Sequence, residues 1–384
     1  MILPPAKLGL LGGGQLGRYF VMAAHELGYD VIVLDPDPDS VAGRIADEHL
    51  IASYEDERAL VHLAGRCRVV TTEFENVPSS SLYKLEEHLL VRPGSRILGI
   101  CQDRLLEKSF FAGEGLPHVP FAVIRCEEDI VRADPGLFPG ILKISRFGYD
   151  GKGQAVAQDR ESALDAFRSF EGALCIFERK LHLEREVSII LARDPSGNCV
   201  VYPLAENRHQ DGILDFSIVP AAVTAELEEE IRRMALDIAE RLNYVGLLAI
   251  EFFVVDGKPY LNELAPRPHN SGHYSLDACN TSQFEQQVRA VCGLPLGNTE
   301  LLSDAVMFNL MGDLWFRQDQ TCEPDWGRLL VVRGLKLHLY GKKKVRVGRK
   351  MGHFTLLGKG GLAATGREVR DGLTGIHAFS VEAS

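Results

Sequence analysis

The segment Lys143-Ile-Ser-Arg-Phe-Gly-Tyr-Asp-Gly-Lys-Gly-Gln154 constrains this chain more than any other, because Gly148, Gly151 and Gly153 follow a lysine that ends an apolar strand. Glycine lets a backbone turn sharply and approach phosphate oxygens closely. Such a loop between two strands can close over a polyphosphate and exclude water. Lys143 then supplies a point charge to the α- and β-phosphates. A lysine snorkelling at the surface is the ordinary alternative. The pattern is one of phosphoryl chemistry without a Walker loop.

Far downstream, Glu251 and Glu263 bracket a hairpin signal at Asp256-Gly257. A two-residue loop pairs Val255 with Lys258 and sets Glu251 opposite Asn262. A three-residue loop pairs Val255 with Pro259 and sets Glu251 opposite Glu263. In the second register both carboxylates share one face, ~5 Å apart at Cβ. Leu248, Ile250, Phe252 and Phe253 surround the first of them. Two buried neighbouring carboxylates repel unless a cation lies between them, and Mg²⁺ joined to phosphates is that cation. One Glu facing solvent and the other salt-bridged is the plainer arrangement.

Ala265-Pro-Arg-Pro-His-Asn-Ser-Gly-His273 follows directly. Arg267 offers a fork of N–H groups to an oxyanion. His269, Asn270 and His273 add donors or proton handlers. The run Lys342-Lys-Lys-Val-Arg-Val-Gly-Arg-Lys350 is the strongest cationic stretch. Lys343 and Lys344 read as solvated; Arg349 and Lys350 read as anion binders.

Near the start, Gly12-x-Gly14-x-x-Gly17 lies between a strand and a helix, and Asp35 ends the next strand. This matches a dinucleotide fingerprint, but any anion suits a helix N-terminus. Gln15 and Arg18 crowd the loop, so a phosphate monoester is the preferred ligand over a nicotinamide or flavin cofactor. A tight structural turn is the bland reading.

With 384 residues the chain exceeds one typical core. Strand-helix-strand rhythm over residues 1–100 indicates a Rossmann-like parallel sheet. Residues 101–300 form a second unit, with an α+β lid over about 115–180 and an amphipathic helix from Thr224 to Leu242, marked by Leu227, Ile231, Met234, Ile238 and Leu242. Residues 301–384 read as a small β-rich domain. The net charge of −11 disfavours nucleic acid and anionic membranes. No stretch approaches the ~18 apolar residues of a membrane span, and no leader pattern opens the chain. Its eight cysteines form no CxxC pair and read as reduced thiols of a cytoplasmic protein.

Taken in order, Gly12-Gly-Gly-Gln-Leu-Gly-Arg18, Glu73-x-Glu75, Gly148-Tyr-Asp-Gly-Lys-Gly-Gln154, Glu206-Asn-x-His-Gln-Asp-Gly212, Asn262-Glu-Leu-Ala-Pro-Arg267, His269-Asn-Ser-Gly-His273, Tyr340-Gly-Lys342 and Gly348-Arg-Lys-Met-Gly-His353 cover most of the chain. Through them it resembles the N5-carboxyaminoimidazole ribonucleotide synthetases, the ATPase subunit of phosphoribosylaminoimidazole carboxylase, within the ATP-grasp superfamily. Phe147 stands where that family often has a second glycine.

The resemblance implies an ATP-grasp fold and ATP-dependent carboxylation of 5-aminoimidazole ribonucleotide by bicarbonate through carboxyphosphate, in purine biosynthesis. It implies ATP contacts from Arg104, Lys143, Gly148, Tyr149, Asp150, Gly151, Lys152, Gly153, Gln154, Glu178, Arg179, Lys180, Leu181, Glu186, His209, Asn262 and Glu263. Mg²⁺ falls to Glu251 and Glu263. Ribotide and bicarbonate fall to Gln15, Leu16, Glu75, Tyr149, Arg267, His269, Lys342, Arg349 and Lys350. Arg267, His273 and Lys342 take the catalytic roles, and a homodimer is the expected assembly. The rivals are a formate-dependent glycinamide ribonucleotide transformylase or a biotin carboxylase. From other classes come a nicotinamide oxidoreductase and an idle nucleotide-binding regulator.

Overall fold

The computed structural model describes residues 1–146, 153–317 and 320–374, without the side chains of Arg317 and Thr374. The first unit runs β1 (Lys7–Leu11), α1 (Gln15–Glu26), β2 (Asp30–Leu34), β3 (Glu48–Leu50), α2 (Glu57–Arg66), β4 (Val69–Thr72), α3 (Ser79–Glu86), β5 (Leu90–Val91) and α4 (Ser95–Cys101). Its five strands are all parallel, in the order β3-β2-β1-β4-β5. Helices cover both faces of such a sheet, so β1 is a nearly unbroken apolar run with Leu8, Leu10 and Leu11 buried. The strand order reverses between β1 and β4. The crevice beyond their carboxyl ends, where open α/β sheets bind ligands, is framed by the Gly12 loop and by Glu73 to Glu75.

Next come α5 (Arg104–Gly113), β6 (Phe121–Ile124), α6 (Glu127–Arg132), β7 (Gly140–Ile144), β8 (Gln154–Ala157), α7 (Arg160–Ser169) and β9 (Cys175–Arg179). Their four strands make an antiparallel sheet, β6-β9-β7-β8, over a core that includes Ile124, Leu142, Phe167 and Phe177. Lys143 pairs with Gln154 across the β7–β8 hairpin, as the glycine-loop reading requires. Residues 147–152, with Phe147, Gly148, Tyr149, Asp150, Gly151 and Lys152, lie outside the described residues.

The chain continues with β10 (Arg185–Arg193), β11 (Cys199–Val201), β12 (Ala205–Gln210), β13 (Ile213–Val219), α8 (Ala225–Arg241), β14 (Gly246–Val255), β15 (Lys258–Ala265), α9 (Ser275–Ala278) and α10 (Gln283–Cys292). Thr224 caps α8 by accepting the Leu227 N–H, and Leu227, Ile231 and Ile238 face the core as their spacing dictates. The last elements are β16 (Ala305–Met311), β17 (Phe316–Arg317), β18 (Gln320–Thr321), α11 (Gly327–Leu330), β19 (Leu335–Leu339), β20 (Lys350–Leu357) and α12 (Leu362–Asp371). The β-rich C-terminal segment does not build a separate main sheet. Strand β16 pairs with β13, giving one nine-stranded sheet, β15-β14-β10-β12-β13-β16-β20-β19, with β11 on β10.

The β14–β15 hairpin combines the two registers read from the sequence. Val255 pairs with Lys258, so the turn has two residues, Asp256 and Gly257, both at positive φ. A bulge then inserts Asn262, and Glu251 pairs with Glu263. Leu261 and Leu264 consequently share one core cluster three positions apart. Asn262 and Glu263 both face the opposite side.

Candidate active site

Where the three units meet lies a cleft of about 1320 Å³. The first unit contributes Gln15, Leu16 and Glu75, and the lid contributes Lys143, Gln154 and Lys180. The central strands and loops contribute Arg104, Glu186, His209, Glu251, Asn262, Glu263, Arg267 and His269, and the C-terminal segment Lys342, Arg349 and Lys350. Most of the residues singled out in the sequence therefore share one cavity. Gly153, Glu178, Arg179, Leu181 and His273 do not line it. Gly153 turns at positive φ into β8, while Arg179 is exposed at the end of β9 and Leu181 half-buried just beyond.

Glu251 and Glu263 face this cleft together. Burial, then the Glu263 charge, push the Glu251 carboxyl up to about 7. Asn262 Nδ2 donates to Glu251 Oε2 at 3.3 Å, His269 Nε2 lies 3.5 Å from Glu251 Oε1, and Arg104 lies 3.5 Å from Glu263. Among the described residues no group of three or more His, Cys, Asp and Glu side chains is arranged to hold a metal. Two carboxylates alone suit Mg²⁺, which keeps water and phosphate oxygens as its remaining ligands. The donor set fits that ion.

Glu178 is a correction to the direct-contact expectation. It is buried, with Oε2 2.5 Å from Lys143 Nζ and Oε1 3.0 Å from Lys108 Nζ. Burial alone would raise its pKa, but the two lysines hold it at about 2. It fixes Lys143 from below and is not presented to the cavity. At the other end, His209 Nδ1 pairs with Glu186 at 2.7 Å. Burial opposes the charged imidazole, yet the Glu186 hydrogen bond and the Glu251 charge raise its pKa.

His273 is the second correction. It is fully buried, 4.6 Å centroid to centroid from His353 and 5.9 Å from Tyr19. Its Nδ1 lies 3.2 Å from Gln283 Nε2, and burial keeps its pKa well below the usual range. A ring packed among aromatics behind the loop cannot touch a substrate. His269, two residues after Arg267, takes the cleft position. Its Nδ1 is 2.8 Å from Ser271 Oγ, and burial followed by the Arg267 charge keeps the ring neutral. Gln283 holds the His269 backbone from both sides, accepting its N–H and donating to its carbonyl. Arg267 Nε donates to Glu75. Burial opposes both charges, but each stabilises the other, so the Glu75 carboxyl is lowered and the guanidinium raised.

The first glycine cluster is not a vacant anion cradle. Gly14 and Gly17 N–H groups donate to Glu73 Oε1 and Oε2 at 2.6 and 2.7 Å, and the Gly13 N–H donates to Asp35 Oδ2 at 2.7 Å. The protein's own carboxylates occupy the α1 N-terminus. This corrects the reading of that loop as a phosphate-monoester site and removes the dinucleotide reading, since a pyrophosphate would meet Glu73. The ribotide candidates Lys342 and Lys350 lie nearby, the Lys342 ammonium donating to the Lys350 carbonyl at 2.7 Å. The Arg349 guanidinium donates to the Lys344 carbonyl at 2.6 Å.

Sequence reasoning missed Glu107 and Lys108 on α5. Both are buried; Glu107 accepts the Leu264 N–H and burial pushes its pKa up to about 8. No pattern in the sequence distinguishes them.

Known proteins match this chain over most of its length. The ribonucleotide synthetase preATP-grasp domain matches residues 5–102, the ATP-grasp domain 109–284, and the phosphoribosylaminoimidazole carboxylase C-terminal domain 305–364. An N5-carboxyaminoimidazole ribonucleotide synthase of Brucella melitensis biotype 1 is 47% identical, covering 92% of this chain and 96% of that protein. Its counterpart in Bacillus subtilis strain 168 is 41% identical, covering 93% of each. A solved ADP complex of an N5-carboxyaminoimidazole ribonucleotide synthetase has a TM-score of 0.89 at 42% identity, covering 97% of this chain and 99% of the other.

Proposed function

This chain belongs to the ATP-grasp N5-carboxyaminoimidazole ribonucleotide synthases, and from that premise we propose how its own residues divide the work. The reaction is the ATP-dependent carboxylation of 5-aminoimidazole ribonucleotide in purine biosynthesis. ATP lies between lid and central sheet. Lys143, held by Glu178, meets its phosphates together with Arg104, Gln154 and the loop that includes Gly148 to Gly153. Glu186, oriented by His209, accepts from ribose hydroxyls. Lys180, with the neighbouring Arg179 and Leu181, borders the base.

Glu251 and Glu263 would hold Mg²⁺, with Asn262 beside them, and the ion would supply neutralisation of phosphate charge. Bicarbonate attacks the γ-phosphorus, ADP leaves, and carboxyphosphate forms. Charge-assisted bonds from Arg267 and a neutral His269 N–H stabilise the carboxylate oxygens. The ribotide amine then attacks the carboxyl carbon, the bond from that carbon to the phosphate oxygen breaks, and phosphate departs with the amine's proton. Gln15, Leu16, Glu75, Tyr149, Lys342, Arg349 and Lys350 seat the ribotide with its amine toward Arg267. Water exclusion matters because carboxyphosphate hydrolyses. A homodimer in the cytoplasm is the assembly and address we assign on family grounds, with domain limits near residues 100 and 300.

The facing pair Glu251 and Glu263, beside Arg267 and opposite Lys143, carries this reading. It is tested by ADP release measured with and without 5-aminoimidazole ribonucleotide and bicarbonate. Release should require both. Release supported by formate, or by biotin in place of the ribotide, would reassign the acceptor chemistry.

A further inference from the structure

We propose that Lys108, which lines no part of the cleft, is a positioning residue that locks the phosphate lysine and the metal-binding strand into one frame. Strand β15 is the edge of its sheet, so its outward backbone groups need partners beyond the ladder. At the bulge those partners come from α5. The Asn262 carbonyl accepts from Lys108 Nζ at 2.7 Å, and the Leu264 N–H donates to Glu107 Oε1 at 2.6 Å. Two successive residues of one helix thus grip the backbone on either side of Glu263.

The same ammonium reaches the lid. Lys108 Nζ lies 3.0 Å from Glu178 Oε1, and Glu178 Oε2 lies 2.5 Å from Lys143 Nζ. An unbroken chain of contacts therefore runs from the backbone beside Glu263 through Lys108 and Glu178 to Lys143. Its members belong to β15, α5, β9 and β7, and so join the central sheet to the lid sheet. Lys108 is 2% exposed and Phe111 lies under its ammonium at 5.6 Å. It is too enclosed to touch a nucleotide and acts only through its neighbours. A buried ion pair is a weak source of stability, and fixing geometry is the role we assign to this one. Here the constrained quantity is the separation between the Lys143 ammonium and the carboxylate that receives the ion.

The inference rests on Mg²⁺ binding at Glu251 and Glu263, and the experiment separates the two. Steady-state kinetics are compared for the full-length wild type, Lys108→Met and Glu263→Gln, varying Mg²⁺, ATP, ribotide and bicarbonate in turn. Lys108→Met should raise half-saturating Mg²⁺ and the KM for ATP by about tenfold, the scale of one lost charge-assisted hydrogen bond, with ribotide and bicarbonate KM unchanged. Equal losses for all four, or a lower Tm with unchanged constants, would show a merely structural lysine and overturn the proposal. Unchanged Mg²⁺ dependence in Glu263→Gln would instead defeat the metal placement. If Lys108→Met does not fold, the double variant Lys108→Met with Glu178→Gln removes the pair without stranding a buried carboxylate. It should show the same Mg²⁺ and ATP defect, and wild-type Mg²⁺ dependence in it overturns the role of Lys108.

Discussion

Glu251 stands opposite Glu263 because Asn262 is one residue more than its strand needs. Without the bulge, strict alternation would send Glu263 to the core face beside Leu261, and only Asn262 would meet Glu251. The extra residue turns two consecutive polar side chains toward the cleft and returns Leu264 to the core. A local irregularity of the backbone thus creates the acidic pair to which we assign Mg²⁺.

The pair has a pH signature. Glu251 is raised to about 7 from an ordinary 4.5, so the fold disfavours its ionised form. This group's destabilising contribution is absent below 4.5, grows between 4.5 and 7, and is complete above 7. Differential scanning calorimetry of the Mg²⁺-free protein should show Glu251→Gln gaining Tm relative to wild type at pH 8 but not at pH 4.5. Mg²⁺ displaces that proton, so half-saturating Mg²⁺ should rise by about tenfold per pH unit below 7. A flat titration of Mg²⁺ between pH 6 and 8 would contradict the assignment.

Glu73 seals the helix that a dinucleotide would otherwise approach. Glu73→Ala leaves the Gly14 and Gly17 N–H groups without their acceptor. The expected loss is ~1–3 kcal/mol of stability for a stranded buried donor. Urea unfolding measures it, and a change under 0.5 kcal/mol would mean water replaces the carboxylate at no cost. Wild-type protein should not enhance NADH fluorescence.

The ribose end is probed separately. Glu186→Gln keeps the shape but removes the charge that His209 and a hydroxyl pair share. The KM for ATP should rise by about tenfold while that for the ribotide holds, since one charge-assisted bond is lost. Loss of discrimination between ATP and its 3′-deoxy analogue would accompany it; undiminished discrimination would place the ribose elsewhere.

How much of this was legible in the sequence depended on where polar residues fell. Helix α8 showed plainly because Leu227, Ile231 and Ile238 keep the helical period. Helix α10 did not, because Gln283, Gln286 and Gln287 occupy core positions and break the apolar stripe. Each of those amides bonds groups outside its own helix: the His269 backbone, Gly297, or both Leu247 and Thr71. The carboxylate pair could be narrowed to two registers but not chosen, since a bulge leaves no mark in residue type. Lys108 and Glu107 resemble any surface pair until the tertiary fold buries them. The glycine fingerprint misled because its anion came from the chain itself, from a residue fifty-six to fifty-nine positions away from its donors.

The two histidines of the His269-Asn-Ser-Gly-His273 loop make the sharpest contrast: the sequence reads both as donors, the first as a substrate contact and the second as catalytic, and only the first lines the cleft. His269→Leu removes a donor beside Arg267 without emptying a core, so Tm should stay within a few degrees. The carboxylation kcat should fall by about a hundredfold, the cost of losing one oxyanion donor. His273→Leu exchanges a buried neutral ring for an aliphatic chain and takes the Nδ1 partner from Gln283, whose amide also holds the His269 backbone. It should lower Tm while leaving the kcat of the folded fraction within about tenfold, a scale set by misplacement and not by lost chemistry. Parallel measurement of Tm and active-site-titrated kcat distinguishes them. If His273→Leu abolished turnover with an unchanged Tm, and His269→Leu did not, the loop would have to rearrange on substrate binding to bring the buried ring forward.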